Sequence, residues 1–285
     1  MAIKLTGGAT LVGGVQIDVP APPTPVFDLS NDTFNFTTWG GDPGGNIGTV
    51  YAFTWGDSGN KFYVTDSTYN FREFDCATPY DFTTTSYVQG NNRPAYDYTR
   101  SPHGMLFNKA GTRLIGQADW FFYTYNLSTA WDVSSISSLA KANNINAQQG
   151  GGVNTGTNYR GLDYNASEDK VYSTTYANTR EVSALNVNWT TLSWTSSNSL
   201  TLPDQCKGFA FNKDGTQFVT ATRAPGLLKI YNMSTPYDVA NATFNNDFNI
   251  SSINPAGSGI INIVFSDDYT KLFLLNDTTV FMLYQ

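Results

Sequence analysis

Charge is scarce in this chain. Only 14% of its 285 residues are Asp, Glu, Lys or Arg, against roughly a quarter in an average globular domain. The balance is acidic, at −7, which excludes duplex nucleic acid or an anionic membrane as a partner for the surface as a whole. Histidine is scarcer still. His103 is the single one, so a His-activated nucleophile or a His-containing metal site would have to use it. The two cysteines, Cys76 and Cys206, are too few for a disulfide framework and read as small buried apolar side chains. That usage suits assembly in a reducing cytosol. No run of 18 apolar residues is present to cross a bilayer as a helix. The opening MAIKLTGGATLVGGVQ is interrupted by glycine pairs and lacks the apolar stretch of a secretory signal.

What the chain has in quantity is Asn, Ser, Thr, Gly and aromatic residues, the last at 15%. This mix suits strands joined by polar turns. It is deployed in a repeated phrase: an apolar run, a tight polar turn, then a second apolar run. The best copies are Gly208–Val219 (GFAFNKDGTQFV) and Gly104–Ile115 (GMLFNKAGTRLI). Looser ones are Ala52–Val64, Gly161–Tyr172 and Asn262–Leu274. The aromatic before each turn falls at Trp55, Phe107, Tyr164, Phe211 and Phe265, at spacings of 52, 57, 47 and 54 residues. A recurrence of that length built from strands and turns marks a propeller or solenoid array. The turn glycines are expected to supply a positive φ, and Phe209, Phe211, Phe218 and Val219 to pack between neighbouring sheets.

A second phrase follows the first by some twenty residues: FDCATPYDFTT from Phe74, YNLSTAWDVSS from Tyr125 and YNMSTPYDVAN from Tyr231. The third repeat has a degraded version, Trp189–Trp194. In the good copies an aromatic precedes Asp, as Tyr80–Asp81, Trp131–Asp132 and Tyr237–Asp238, and an Asp so placed is expected to cap a turn through backbone N–H groups. The sequons at Asn126 and Asn232 belong to this phrase, so the repeat explains them.

The two termini complete each other. Phe27–Asn35 (FDLSNDTFN) matches Tyr237–Asn245 (YDVANATFN), so the early segment reads as the last strand of a repeat. Residues 262–285 supply the first three strands of a repeat and stop. The sequence therefore predicts an all-β, five-bladed β-propeller over residues 26–285, closed by pairing an N-terminal strand (27–36) with the C-terminal hairpin, which removes exposed sheet edges. Residues 1–25, ending in PAPPTP, stand apart as an extended N-terminal docking arm.

These phrases resemble β-propeller repeats of bacteriophage virion proteins, marine phages especially. The matching residues are FNKDGTQFV (Phe211–Val219), YNLSTAWDVSS (Tyr125–Ser135) and YNMSTPYDV (Tyr231–Val239). The resemblance covers about residues 27–285, and the third repeat departs from it. It implies a non-enzymatic virion structural protein, a tail, fibre or surface appendage component assembled in the host cytoplasm. The arm 1–25 would contact other virion proteins within a homo- or hetero-oligomeric assembly, and the propeller would present loops to the host surface or to neighbouring subunits. A carbohydrate-binding, lectin-like propeller that takes a host surface glycan is the alternative, and a glycoside hydrolase the third.

Chemistry-bearing patterns are few. No Cys/His cluster has zinc spacing, no EF-hand loop is present, and no phosphate loop or dinucleotide fingerprint appears, so no cofactor and no metal is expected. One column of the repeat alignment, just before the first strand's core, holds Tyr51, His103, Arg160, Lys207 and Ile261. In a closed ring these are expected to gather at one channel mouth, where Tyr51, His103, Arg160 and Lys207 could hold an anionic or sugar ligand. A glycosidase needs two carboxylates converging on the channel. Asp163 is the one acidic residue inside a first strand; its equivalents are Thr54, Leu106, Ala210 and Val264, so no acidic ring forms. Asp97, Asp119 and Asp204 have no assigned place. Trp39, Trp120 and Trp194 are candidates for carbohydrate stacking or for packing between blades.

Overall fold

A computed structural model describes residues 39, 49–67, 70–92, 103–118, 121–144, 158–165, 167–176, 180–222, 226–250, 259–276 and 281–284. The chain lays down antiparallel sheets one after another, each from consecutive strands. The first holds β1 (Val50–Gly56), β2 (Lys61–Asp66), β3 (Asn70–Cys76) and β4 (Thr85–Asn92); the second, β5 (Gly104–Phe107), β6 (Arg113–Ala118), β7 (Phe121–Leu127) and β8 (Ile136–Asn144). The third holds β9 (Asn158–Tyr164), β10 (Lys170–Tyr176), β11 (Glu181–Asn188) and β12 (Ser193–Thr201); the fourth, β13 (Cys206–Phe211), β14 (Gln217–Thr222), β15 (Leu227–Asn232) and β16 (Thr243–Asn249). The last group is β17 (Ile260–Phe265), β18 (Leu272–Asn276) and β19 (Phe281–Tyr284), in that order.

This is an all-β propeller, with one correction. Four blades are complete, not five, and the last sheet has three strands among the described residues. The strand proposed to complete it, 27–36, and the arm 1–25 lie outside the described residues. So does the loop Thr38–Gly48, apart from Trp39.

Hydrophobic clusters fill the spaces between successive sheets. Phe209, Phe211 and Phe218 pack with Tyr172, Val182 and Ala184 of the third blade. Val219 faces the other way, with Ile260, Ile263 and Leu274 of the last sheet. That last sheet also contributes Ile261, Phe273 and Leu275 to a cluster with Phe53, Phe62 and Phe74 of the first blade. The blade faces are apolar because each is covered on both sides, so the inner strands read as nearly continuous buried runs rather than alternating ones. Cys76 and Cys206 are buried in this packing, and neither is in a disulfide; burial pushes their thiols up to about 12 and about 11.

The repeated phrases interlock. Gly59, Gly111 and Gly215 all have positive φ, at 82°, 66° and 68°. Against each lies the aromatic of the second phrase: a Cβ at these glycines would sit 2.5, 2.3 and 2.4 Å from the rings of Tyr80, Trp131 and Tyr237. The backbone N–H of each aromatic donates to the carbonyl of its glycine, at 3.0, 2.9 and 2.8 Å. Trp55, Phe107 and Phe211, the aromatics before the turns, pack their rings on the same partners at 5.4, 5.3 and 5.0 Å. The Asp of the second phrase caps the following turn in two blades. Asp81 accepts from the Thr83 N–H at 2.9 Å and Asp132 from the Ser134 N–H at 2.8 Å. Asp238 makes no such cap; it accepts instead from Asn198 and Asn241 side chains at 2.9 and 2.6 Å.

Candidate functional site

One cavity, of about 640 Å³, opens among the turns that join the first two strands of each sheet. Its lining includes Asp163 and the four residues that align with it in the other first strands: Thr54, Leu106, Ala210 and Val264. Its rim is built from the turns, with Asp57, Ser58, Lys109, Asn165, Lys213, Ser266, Asp267 and Tyr269 beside the rings of Trp131 and Tyr237.

The local fold explains how the rim is held. In the second, third and fourth sheets the Asn that follows the repeated aromatic closes its turn: Asn108, Asn165 and Asn212 accept through Oδ1 from the N–H of Arg113, Lys170 and Gln217, at 2.9, 3.0 and 2.9 Å. Ser266 does the same in the last sheet, its Oγ accepting from the Lys271 N–H at 3.0 Å. Neighbouring blades are then tied at the same level. Tyr63 and Tyr172 donate their hydroxyls to the carbonyls of Trp131 and Tyr237, at 2.5 and 2.8 Å. The Asp267 N–H donates to the Tyr80 hydroxyl at 3.1 Å, which links the last sheet to the first.

Asp163 lines the cavity at the end of β9. Its two oxygens accept one backbone N–H each, from Tyr164 and from Phe211 of the next blade, both at 2.8 Å. Burial nevertheless outweighs these bonds and pushes the carboxyl up to about 7. Beside it the Tyr164 hydroxyl is raised by burial and then by the charge of Asp163. A carboxyl poised between its two protonation states near neutral pH can act as an acid or base, but here one oxygen holds the Tyr164 N–H of its own strand and the other holds the Phe211 N–H across to the next blade. Among the described residues no group of three or more His, Cys, Asp or Glu side chains could hold a metal ion, and no helix is long and apolar enough to cross a membrane.

The sequence-predicted mouth residues lie at the other end of the inner strands. Tyr51, Lys207 and Ile261 are each the residue skipped in register at a β-bulge, while in the third blade the bulge falls on Gly161 rather than Arg160. Tyr51 and His103 meet edge to face at 5.3 Å between ring centroids. Arg160 and Lys207 are joined through their backbones, whose carbonyls both accept from the Thr174 hydroxyl, at 2.6 and 3.0 Å. Ile261 is 7% exposed and packs in the core. None of the five lines the cavity.

Trp39 and Trp194 are 6% and 1% exposed, so their rings pack between strands rather than presenting a platform. Trp194 stacks on Phe122 at 4.9 Å, and Trp39 packs edge-on against Phe62 and Phe74. Asp204 pairs with Lys229. Trp120, Asp97 and Asp119 lie outside the described residues.

What sequence reasoning missed is Tyr269. The turn column that holds Gly59, Gly111 and Gly215 holds Glu168 in the third blade and Tyr269 in the last sheet, both at positive φ. The substitution was visible in the alignment as a non-glycine in a glycine column.

No protein-family model matches the chain, and no curated protein matches it by sequence. Solved structures do match in shape. A candidate 6-phosphogluconolactonase from Bacteroides uniformis aligns with a TM-score of 0.51 at 11% identity, over 79% of this chain and 64% of the other. A second, from Bacteroides fragilis, aligns with a TM-score of 0.51 at 9% identity, over 82% and 70%. This chain thus spans less than two thirds of the length of the first. The likeness is one of propeller fold.

Proposed function

We propose that the chain is a binding and scaffolding propeller rather than an enzyme, and that it serves as a structural component of a bacteriophage particle, in a tail, fibre or surface appendage. The observation that carries the non-catalytic reading is the engagement of Asp163. Asp163, the one carboxyl of the first-strand column, has one oxygen engaged by the Tyr164 N–H of its own strand and the other by the Phe211 N–H of the next blade. The other acids lining the cavity, Asp57 and Asp267, lie on rim turns, whereas glycoside hydrolysis needs a converging pair free to act on a substrate. Likeness of fold to structures named for lactonase activity adds no catalytic residue. The phage assignment rests on the repeated phrases, whose side chains are spent on stapling blades. A charge-poor body, with residues 1–25 as the arm expected from the sequence, suits a building block of a larger assembly.

In this reading residues 27–36 complete the last sheet as its fourth strand, giving a five-bladed ring, and residues 1–25 reach onto a neighbouring virion protein. The test is assembly. Particles made with a chain lacking residues 1–25 are expected to lack the propeller; incorporation at normal occupancy refutes the anchoring role. The lectin-like reading is kept because the cavity combines aromatic and hydroxyl-bearing residues on one rim.

A further inference from the structure

Among the described residues, nine non-glycine residues have positive φ, Glu168 in the same glycine column as Tyr269 among them, and five of the nine line the cavity. Asp57, Ser58, Trp131, Tyr237 and Tyr269 are all non-glycine residues at positive φ, between 48° and 63°, and all line it. Trp131 and Tyr237 have a structural reason, since each covers a turn glycine. Tyr269 has the opposite relation to the repeat. It occupies the glycine column itself, at φ 60°, where Gly59, Gly111 and Gly215 carry no side chain. A bulky residue in the left-handed region costs on the order of 1 kcal/mol or more, and such residues gather at ligand clamps. Tyr269 remains 37% exposed, with its ring against Phe265 at 5.6 Å. An aromatic face is thus held at the cavity mouth at a conformational cost that glycine would avoid.

The chemistry around it is mixed. Asp57 and Asp267 on the rim are matched by Lys109 and Lys213, and Ser58, Asn165 and Ser266 add hydroxyl and amide groups. A rim without a dominant charge does not select an anion or a cation. Aromatic faces with scattered donors and acceptors suit a polyhydroxylated neutral ligand, whose C–H face stacks while its hydroxyls exchange hydrogen bonds. The volume, about 640 Å³, lies within the range of small-molecule sites, roughly 300–1,000 Å³.

We infer that the cavity at the turn end of the propeller is a binding site for neutral hexopyranose units of a glycan, with Tyr269 as its stacking platform. The inference rests on the binding-propeller reading above and moves the sugar site from the Tyr51–His103–Arg160–Lys207 end to the opposite end of the inner strands.

The experiment uses the full chain on an array carrying neutral, sialylated and sulfated glycans, followed by titration of the strongest neutral oligosaccharide. Binding to neutral glycans is expected. Tyr269→Gly, which places in this turn the residue found there in three other blades, should keep the melting temperature and lose about tenfold or more in affinity. Tyr269→Phe, which retains the ring, should bind within about threefold of the parent. A blank array overturns the inference, as does binding confined to acidic glycans, binding unchanged in Tyr269→Gly, or binding lost in Tyr269→Phe. Particle incorporation of Tyr269→Gly is scored alongside. Retained incorporation with lost glycan binding separates the sugar site from the scaffolding role, whose own failure is read from the arm deletion.

Discussion

Asp163 shows at the scale of one residue how a tie between blades becomes a pH-dependent term. Its carboxyl is raised to about 7, chiefly because burial disfavours the charge, and the two backbone N–H bonds recover only part of that. The unfolded chain releases this proton near pH 4, as an ordinary Asp does. Between about pH 4 and 7 the folded protein therefore binds a proton that the unfolded chain has lost, so this group's contribution to stability falls as pH rises across that window and is flat above it. Asp169 and Asp268 act in the other direction. Their side-chain hydrogen bonds hold their carboxyls below the usual range, so their contribution is present above about pH 4 and is lost as pH falls further. Comparing the parent with Asp163→Asn in urea at pH 5 and pH 8 isolates the first effect. The parent should lose stability relative to the variant between pH 5 and pH 8 by at most about 3 kcal/mol, since about two pH units of the window fall in that interval at about 1.4 kcal/mol each. A pH-independent difference would show that the carboxyl stays ionised throughout.

At the scale of the element, a blade is held by the meeting of its two phrases rather than by either alone. The first supplies a glycine in the left-handed region; the second supplies an aromatic that lies on it and donates its N–H to the glycine carbonyl. Gly111→Ala tests this. Its added Cβ would lie 2.3 Å from the Trp131 indole at φ 66°, so both the turn and the ring must shift. The expected cost is about 2–3 kcal/mol, steric displacement added to left-handed strain, read as a lower denaturation midpoint with unchanged slope. An effect below about 0.5 kcal/mol would mean that the ring moves freely and the latch contributes little. Each phrase was plain in the sequence, and so was the need for a turn glycine with positive φ. Their contact was not, because the partners lie about twenty residues apart and meet only once three strands have folded back.

At the scale of the whole molecule, the last sheet packs on the first through Ile261, Phe273 and Leu275 against Phe53 and Phe62, and Asn262 donates its side-chain amide to the Phe53 carbonyl at 3.4 Å. If residues 27–36 form the outer strand of that sheet, a chain beginning at residue 26 should melt with the full chain. One beginning at residue 37 should melt lower and associate through the β-edge left open. Calorimetry with light scattering on the two truncations checks this; equal melting and equal monodispersity would remove the closing strand from the account.

The order of strands, the turns and the inward-facing column were fixed by local patterning, because turn chemistry and strand periodicity act over a few residues. Thus Thr54, Leu106, Asp163, Ala210 and Val264 could be placed on one wall from the alignment alone. Which end of that wall opens into a cavity was decided by tertiary structure. The bulges at Tyr51, Lys207 and Ile261 and the aromatics laid over the turn glycines of their own blades form only when the strands fold back on one another, and the periodicity of either phrase alone does not say which segments then meet.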